Sequence, residues 1–198
     1  MTMLRRRNIS TARPSSGPST TGARRTALAP KLAVLGALAA ATTAFGAGRV
    51  EAAPVQVSGV GVYDASATSC PAAPPTGYGE YTSVYPPLAL TGRLVGCLYI
   101  TVDAATDHGA PSGVYLEQGR EVFIGRLDGG PVGTFTTTYR FESKWAPDVS
   151  TGVQLKGRCQ HPIVAGSGTG GFAGATGRID FKDDVGTGTV DYRGHITL

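Results

Sequence analysis

The sequence predicts an all-β domain of about eight antiparallel strands behind a basic export leader. After residue 53, apolar residues recur with period two in short runs separated by Gly, Pro and Asp. No window carries a 3.6-residue apolar stripe of helical length. The 198 residues hold Gly 29 and Pro 13 without a G-X-Y period, which excludes a collagen-like chain and allows one domain of ordinary size or two small ones.

Residues 1–31 are basic, rich in Ser, Thr and Pro, and free of acids, and residues 32–47 are an uncharged run of sixteen ended by Gly48 and Arg49. That run is shorter than the roughly 20 residues that span a bilayer. A positive segment, a short apolar one and small residues around Ala52 together predict a signal peptide cleaved after Ala52, with 1–52 as leader and 53–198 as mature domain. The pairs Arg6-Arg7 and Arg24-Arg25 are compatible with a twin-arginine route as well as the general secretory one. Fourteen Arg against four Lys, with a single Asn, suggest a GC-rich bacterial genome. The mature chain is then secreted, with no stable membrane insertion after cleavage.

The net charge of +4 belongs to the leader. Residues 1–53 hold eight of the 18 bases and one of the 14 acids, leaving ten bases against thirteen acids, a net of −3. The folded part thus lacks the electrostatic footprint of a nucleic-acid binder.

The strands follow in order. Val55 to Tyr63 opens the domain. Leu88, Leu90, Leu94, Leu98, Ile100 and Val102 read as one long curved strand, with Gly92 and Gly96 where curvature leaves no room for a side chain. Val114 to Glu117 and Glu121 to Arg126 read as two short strands, and Asp128-Gly129-Gly130 as a turn. From Thr134 to Glu142, Phe135, Tyr139 and Phe141 share a core face, extended by Trp145, while Thr134, Thr136, Thr138 and Arg140 share a wettable one. Val153 to Lys156, Ile179 to Lys182 and Val190 to Leu198 complete the set. Periodicity leaves a closed barrel and a sandwich equally open. The stretch 65–87, with five prolines, is either a lid over a site or a decorated crossing.

Export permits disulfides, and three cysteines remain after cleavage. Cys97 and Cys159 lie in strand patterns and Cys70 in the Pro-rich loop, so Cys97 with Cys159 is the expected bridge and Cys70 with Cys97 the alternative. No metal site is expected, because Cys159 and His161 have no further ligands at workable spacing and His108 and His195 are scattered.

Residues 166–171 match G-x-G-x-x-G, and Asp191 stands 20 residues beyond Gly171. A dinucleotide fingerprint requires a helix opening there, and Gly174 and Gly177 refuse one. No cofactor is therefore expected. The longer stretch from Ile163 to Phe181 resembles the glycine-rich segment of the allene oxide cyclase and dirigent-like barrels, with Gly166, Gly168, Phe172, Ala175 and Gly177 at the matching positions. The resemblance extends to Gly96-Cys97-Leu98-Tyr99, to residues 157–162 and to Tyr192-Arg193-Gly194-His195-Ile196. It implies a single antiparallel, about eight-stranded, calycin-like barrel with an internal cavity, in which the glycines turn the corner at positive φ and Phe172 plugs the core.

Function is read less directly. Glu117, Glu121 and His161 are candidate acid–base residues, and Tyr99, Tyr115 and Arg140 candidate ligand contacts. Glu117, Glu121, Arg140, Glu142 and Arg158 are each accounted for by a solvated strand face, His161 by the ordering of a strand end, and His195 by an exposed face. The expected role is a monomeric or weakly self-associating secreted barrel that binds a small apolar ligand or serves as a stable module. The alternatives are a cofactor-independent isomerase or cyclase of the allene oxide cyclase type and a cell-envelope interaction protein.

Overall fold

The computed structural model describes residues 52–81 and 85–198, which lie within one unit, Gly48–Leu198. The leader, 1–51, lies outside the described residues. Nine strands run as β1 (Val55–Tyr63), β2 (Leu88–Gly92), β3 (Leu94–Asp107), β4 (Val114–Leu127), β5 (Gly133–Ala146), β6 (Val153–Pro162), β7 (Thr169–Gly170), β8 (Thr176–Asp184) and β9 (Thr189–Thr197). A short 3-10 turn, Gly79–Tyr81, interrupts the β1–β2 connection. Each of β1–β2–β3–β4–β5–β6–β8–β9 pairs antiparallel with the next, and β9 returns to β1. The chain is an eight-stranded antiparallel barrel, with β7 added at the start of β5.

Two boundaries differ from the sequence reading, in opposite directions. Leu88 to Val102 is not one strand but a hairpin, with Leu88 opposite Leu98 and Leu90 opposite Gly96. Gly92, at φ 104°, makes the reversal. The turn centres on residue 93, so even-numbered residues face inward on both arms and the period-two pattern runs through it without a break. Conversely, the two segments read around Gly119 form the single strand β4. Gly119 pairs with Val102, and a Cβ there would sit 2.7 Å from the Tyr139 ring. It marks where the Tyr139 ring lies over the inner face beside the Thr101 carbonyl, not a turn.

The inward faces divide the interior into two halves. Around the plugged end, Leu94, Phe123, Phe135, Phe172, Ile179 and Ile196 are fully buried. Phe172 lies edge-on to Phe123 and Phe135, with ring centroids at 5.6 and 5.0 Å. The glycine-rich corner closes over it. Gly170 and Gly174 hold φ of 53° and 79°, whereas Gly168 has no positive φ; a Cβ on Gly168 would lie 1.8 Å from the Phe172 carbonyl oxygen, so close approach and not turn geometry excludes a side chain there. This corner contains a two-residue strand and no helix, and so lacks the helix N-terminus that a dinucleotide fingerprint needs.

The sulfur expectation is corrected. Cys70 bonds Cys97, and Cys159 is a buried free thiol. Cys97 and Cys159 stand on opposite faces of the wall: residue 97 points out and residue 159 in. The Pro-rich loop lies on the outer wall, where Tyr78 and Tyr81 cover Tyr99, Val122, Cys97 and Ile124. Asp64 braces its first turn by accepting from the backbone amides of Thr68, Ser69 and Cys70.

Candidate functional site

The half of the barrel nearer the loops is polar inside. Glu117 and Glu121 are 7% and 2% exposed, and His161 is 4% exposed. All three point inward, which overturns the reading of the two acids as a solvated strand face; His161 lies one residue from the end of β6. The period-two alternation of β4 puts 117, 119, 121, 123 and 125 on the inner face.

Glu117 accepts three phenolic hydrogen bonds. Tyr85 and Tyr115 donate to Oε2 at 2.9 and 2.7 Å, and Tyr139 donates to Oε1 at 2.8 Å. Tyr139 reaches across because Gly119 leaves its path open. Burial, then the hydrogen bond to Glu117, pushes Tyr115 up to about 12 and raises Tyr139 further still. Burial also comes first for Tyr85, followed by the Glu117 charge. These hydroxyls stay protonated donors, and the carboxylate is satisfied without a cation.

Glu121 Oε2 accepts from Thr137 Oγ1 at 2.7 Å and meets His161 Nδ1 at 2.5 Å. A carboxylate only accepts, so the network assigns a hydrogen to Nδ1, and in the neutral ring the lone pair is then on Nε2. His161 Nε2 is buried and has no partner. Its ring stacks on Tyr139 at 5.7 Å and packs against Phe181 at 4.4 Å. Tyr139 thereby links the two carboxylate centres, its hydroxyl on Glu117 and its ring on the partner of Glu121. Such a carboxylate–imidazole pair is the arrangement that holds a general base in one tautomer and stabilises it once protonated.

Of the proposed ligand contacts, only Tyr115 belongs to this cluster. Tyr99 is on the outer wall, its hydroxyl donating to the Pro71 carbonyl at 3.1 Å, where it anchors the loop. Arg140 is exposed on the outer face of β5 opposite Gln160. It borders an open groove of about 920 Å³ across the outer faces of β4, β5, β6, β8 and β9. It carries charges of both signs: Arg140, Asp180 and Arg193 run along one side, and Glu142, Arg158 and Lys182 along the other. Cross-strand pairing, worth about 0.2–1 kcal/mol per pair, accounts for Glu142 with Arg158 and for Asp180 with Arg193, whereas Arg140 faces Gln118 and Gln160, and Arg158 also faces Lys182. His195 is exposed, as read.

Sequence reasoning missed Thr137, Tyr85 and Tyr63 as members of the cluster and placed Tyr139 only in the core. For Thr137 the signal was present, since it alternates in step with Phe135 and Tyr139. Cys159 faces the same interior, and burial followed by Glu121 raises its thiol pKa, so it is not an activated nucleophile. Asp183 is raised by burial and receives a hydrogen bond from Gln154. Among the described residues, no three His, Cys, Asp or Glu side chains converge as metal ligands. Comparison of the chain with models of known families, with curated proteins and with solved structures yields no match.

Proposed function

We propose that the protein is an exported barrel that takes a small, largely apolar molecule into its tyrosine-lined end and isomerises it there by acid–base chemistry without a cofactor. The observation that carries this is the buried Glu121–His161 pair with Nε2 unpartnered. A packed structural module gains nothing from an interior carboxylate–imidazole pair, because a buried carboxylate costs several kcal/mol before its partner repays it. Perturbed or paired titratable groups inside a barrel are the usual mark of a site.

The resemblance to allene oxide cyclase and dirigent-like barrels is part of this proposal. It is supported by the eight-stranded antiparallel barrel and by the Phe172 plug under the glycine-rich corner. Export is likewise proposed, on the leader and on the Cys70–Cys97 disulfide, a bond that persists in oxidising compartments. N-terminal sequencing of the secreted form should begin at Ala53.

A second reading, simple binding, is favoured by Glu117: a carboxylate already met by three hydroxyl donors positions those side chains more readily than it reacts. One experiment separates the readings. A small-molecule extract of the producing cells is incubated with the mature barrel and with His161→Gln, and followed by liquid chromatography and mass spectrometry. An isomerase consumes one compound and yields another of equal mass, and His161→Gln does not. A compound retained unchanged supports binding, and no compound retained or converted refutes both.

A further inference from the structure

Two polar groups at the loop end of the interior lack a protein partner, and they are chemically complementary. One is His161 Nε2, a lone pair held in place by Glu121. The other is the Tyr63 hydroxyl, which has no hydrogen-bond partner among the described residues. Tyr63 ends β1 in step with the inward residues Val57, Gly59 and Gly61, and its ring lies 6.1 Å from that of Tyr85, whose hydroxyl rests on Glu117. The ring is 43% exposed at the mouth. Burial first, then the charges of Glu121, Asp183 and Glu117, raises its pKa above that of an ordinary phenol. It is therefore a donor throughout the neutral range. A buried polar atom left unbonded, as His161 Nε2 is, costs about 1–3 kcal/mol. Here the neighbouring carboxylate Glu117 is met three times over while a donor and an acceptor are left open.

We infer that the site receives an enolisable ketone or aldehyde on a largely apolar frame, with Tyr63 donating to the carbonyl oxygen and His161 Nε2 removing a proton from the adjacent carbon. The inference rests on the acid–base reading above and names its substrate class and its electrophilic residue. In the first step the C–H bond breaks and its proton goes to Nε2. The electron pair left behind forms the carbon–carbon double bond, and the carbonyl π pair moves to oxygen, where the Tyr63 hydrogen bond meets the developing charge. Glu121 stabilises the imidazolium without taking the proton. Returning the proton from Nε2 to another carbon of a conjugated enolate shifts the double bond, with no oxidant, reductant or cofactor. Ile100, Phe141 and Phe181 supply apolar wall around these groups and offer no competing donor.

The test uses the mature barrel with 2-tetralone, an enolisable, mostly apolar ketone, in deuterium oxide. Saturation-transfer NMR reads binding, and mass spectrometry reads deuterium gained at the carbons beside the carbonyl. Wild type should accelerate exchange over buffer by roughly 10²–10⁴-fold. Tyr63→Phe should lose about 10²–10³-fold of that rate while still binding, as removal of an oxyanion donor does elsewhere. His161→Gln should bind without exchange, and Tyr99→Phe, on the outer wall, should match wild type. Urea unfolding of each variant identifies any that fails to fold, and Tyr63→Trp then serves as a second removal of the hydroxyl. Binding without exchange in wild type, exchange that survives loss of the Tyr63 hydroxyl, or exchange that survives His161→Gln overturns this inference and leaves an interior ligand site standing. Failure of wild type to bind 2-tetralone overturns both.

Discussion

The Glu121–His161 pair can be tested as a stability element, and a function-bearing pair leaves a recognisable signature. His161→Leu removes the imidazole and leaves a carboxylate 2% exposed with the Thr137 hydroxyl as its donor. Breaking a buried pair this way costs about 3–5 kcal/mol. Glu121→Leu leaves a neutral ring with neither nitrogen paired, which costs about 1–3 kcal/mol. If the two losses were independent, the double variant would fall by about 4–8 kcal/mol. They are not independent, since each single change is costly because of the group it strands. The double variant strands only the Thr137 hydroxyl, replaces both other groups by apolar ones of similar volume beside Phe181 and Ile100, and should lie within about 1–3 kcal/mol of wild type. Urea unfolding at one pH reads all four corners of the cycle. With a slope of about 2 kcal/mol per M, a loss of about 4 kcal/mol moves the midpoint by about 2 M. The double variant should be stable and unable to convert or exchange any ligand. A double variant as destabilised as the sum of the singles would refute the coupling, and with it the argument that the pair is kept at the expense of stability.

Phe172→Ala should cost about 3–5 kcal/mol, because the ring is fully buried between Phe123 and Phe135, and thermal melting should fall by roughly 2–4 °C for each kcal/mol. Gly174→Val should also destabilise, through strain at φ 79° alone, since nothing lies within 4 Å of a Cβ there. Non-reducing peptide maps should link Cys70 with Cys97 and leave Cys159 free. Removing that bond, with its separation of 27 residues, should lower stability by up to about 3.5 kcal/mol on the chain-entropy account. Asp64 is lowered to about 2 by the amides of Cys70 and Ser69. Its bracing of the loop is therefore complete above the ordinary carboxyl value of 3.8 and is lost as pH falls from there through about 2. NMR titration of its carboxyl should show a midpoint near 2, and a midpoint near 3.8 would remove the brace from the account.

Much of the fold was legible without coordinates because a barrel wall obeys a local rule. Phe135, Tyr139 and Phe141 alternate with threonines whatever their neighbours are, and the corner from Gly166 to Gly177 announces a tight, helix-free link by composition alone. Even the count of eight survived two boundary errors that cancelled, since a hairpin centred on an odd residue preserves parity and an inward glycine imitates a turn. The interior assignment of Glu117 and Glu121 was not legible, for a reason that lies in the outer wall. Val122 and Ile124 make the opposite face of β4 look like the core, and they are apolar because the Pro-rich loop, pinned by Cys70–Cys97, covers them. Which face of a two-sided strand meets the interior depends on what the rest of the chain lays against each side. The same holds for sulfur, where the wall separates Cys97 from Cys159. Local alternation thus determined the strands and the plugged corner. Closure of the barrel alone decided which polar groups are buried together, because burial and pairing arise between residues such as Glu121, Thr137 and His161 that only the closed sheet brings face to face.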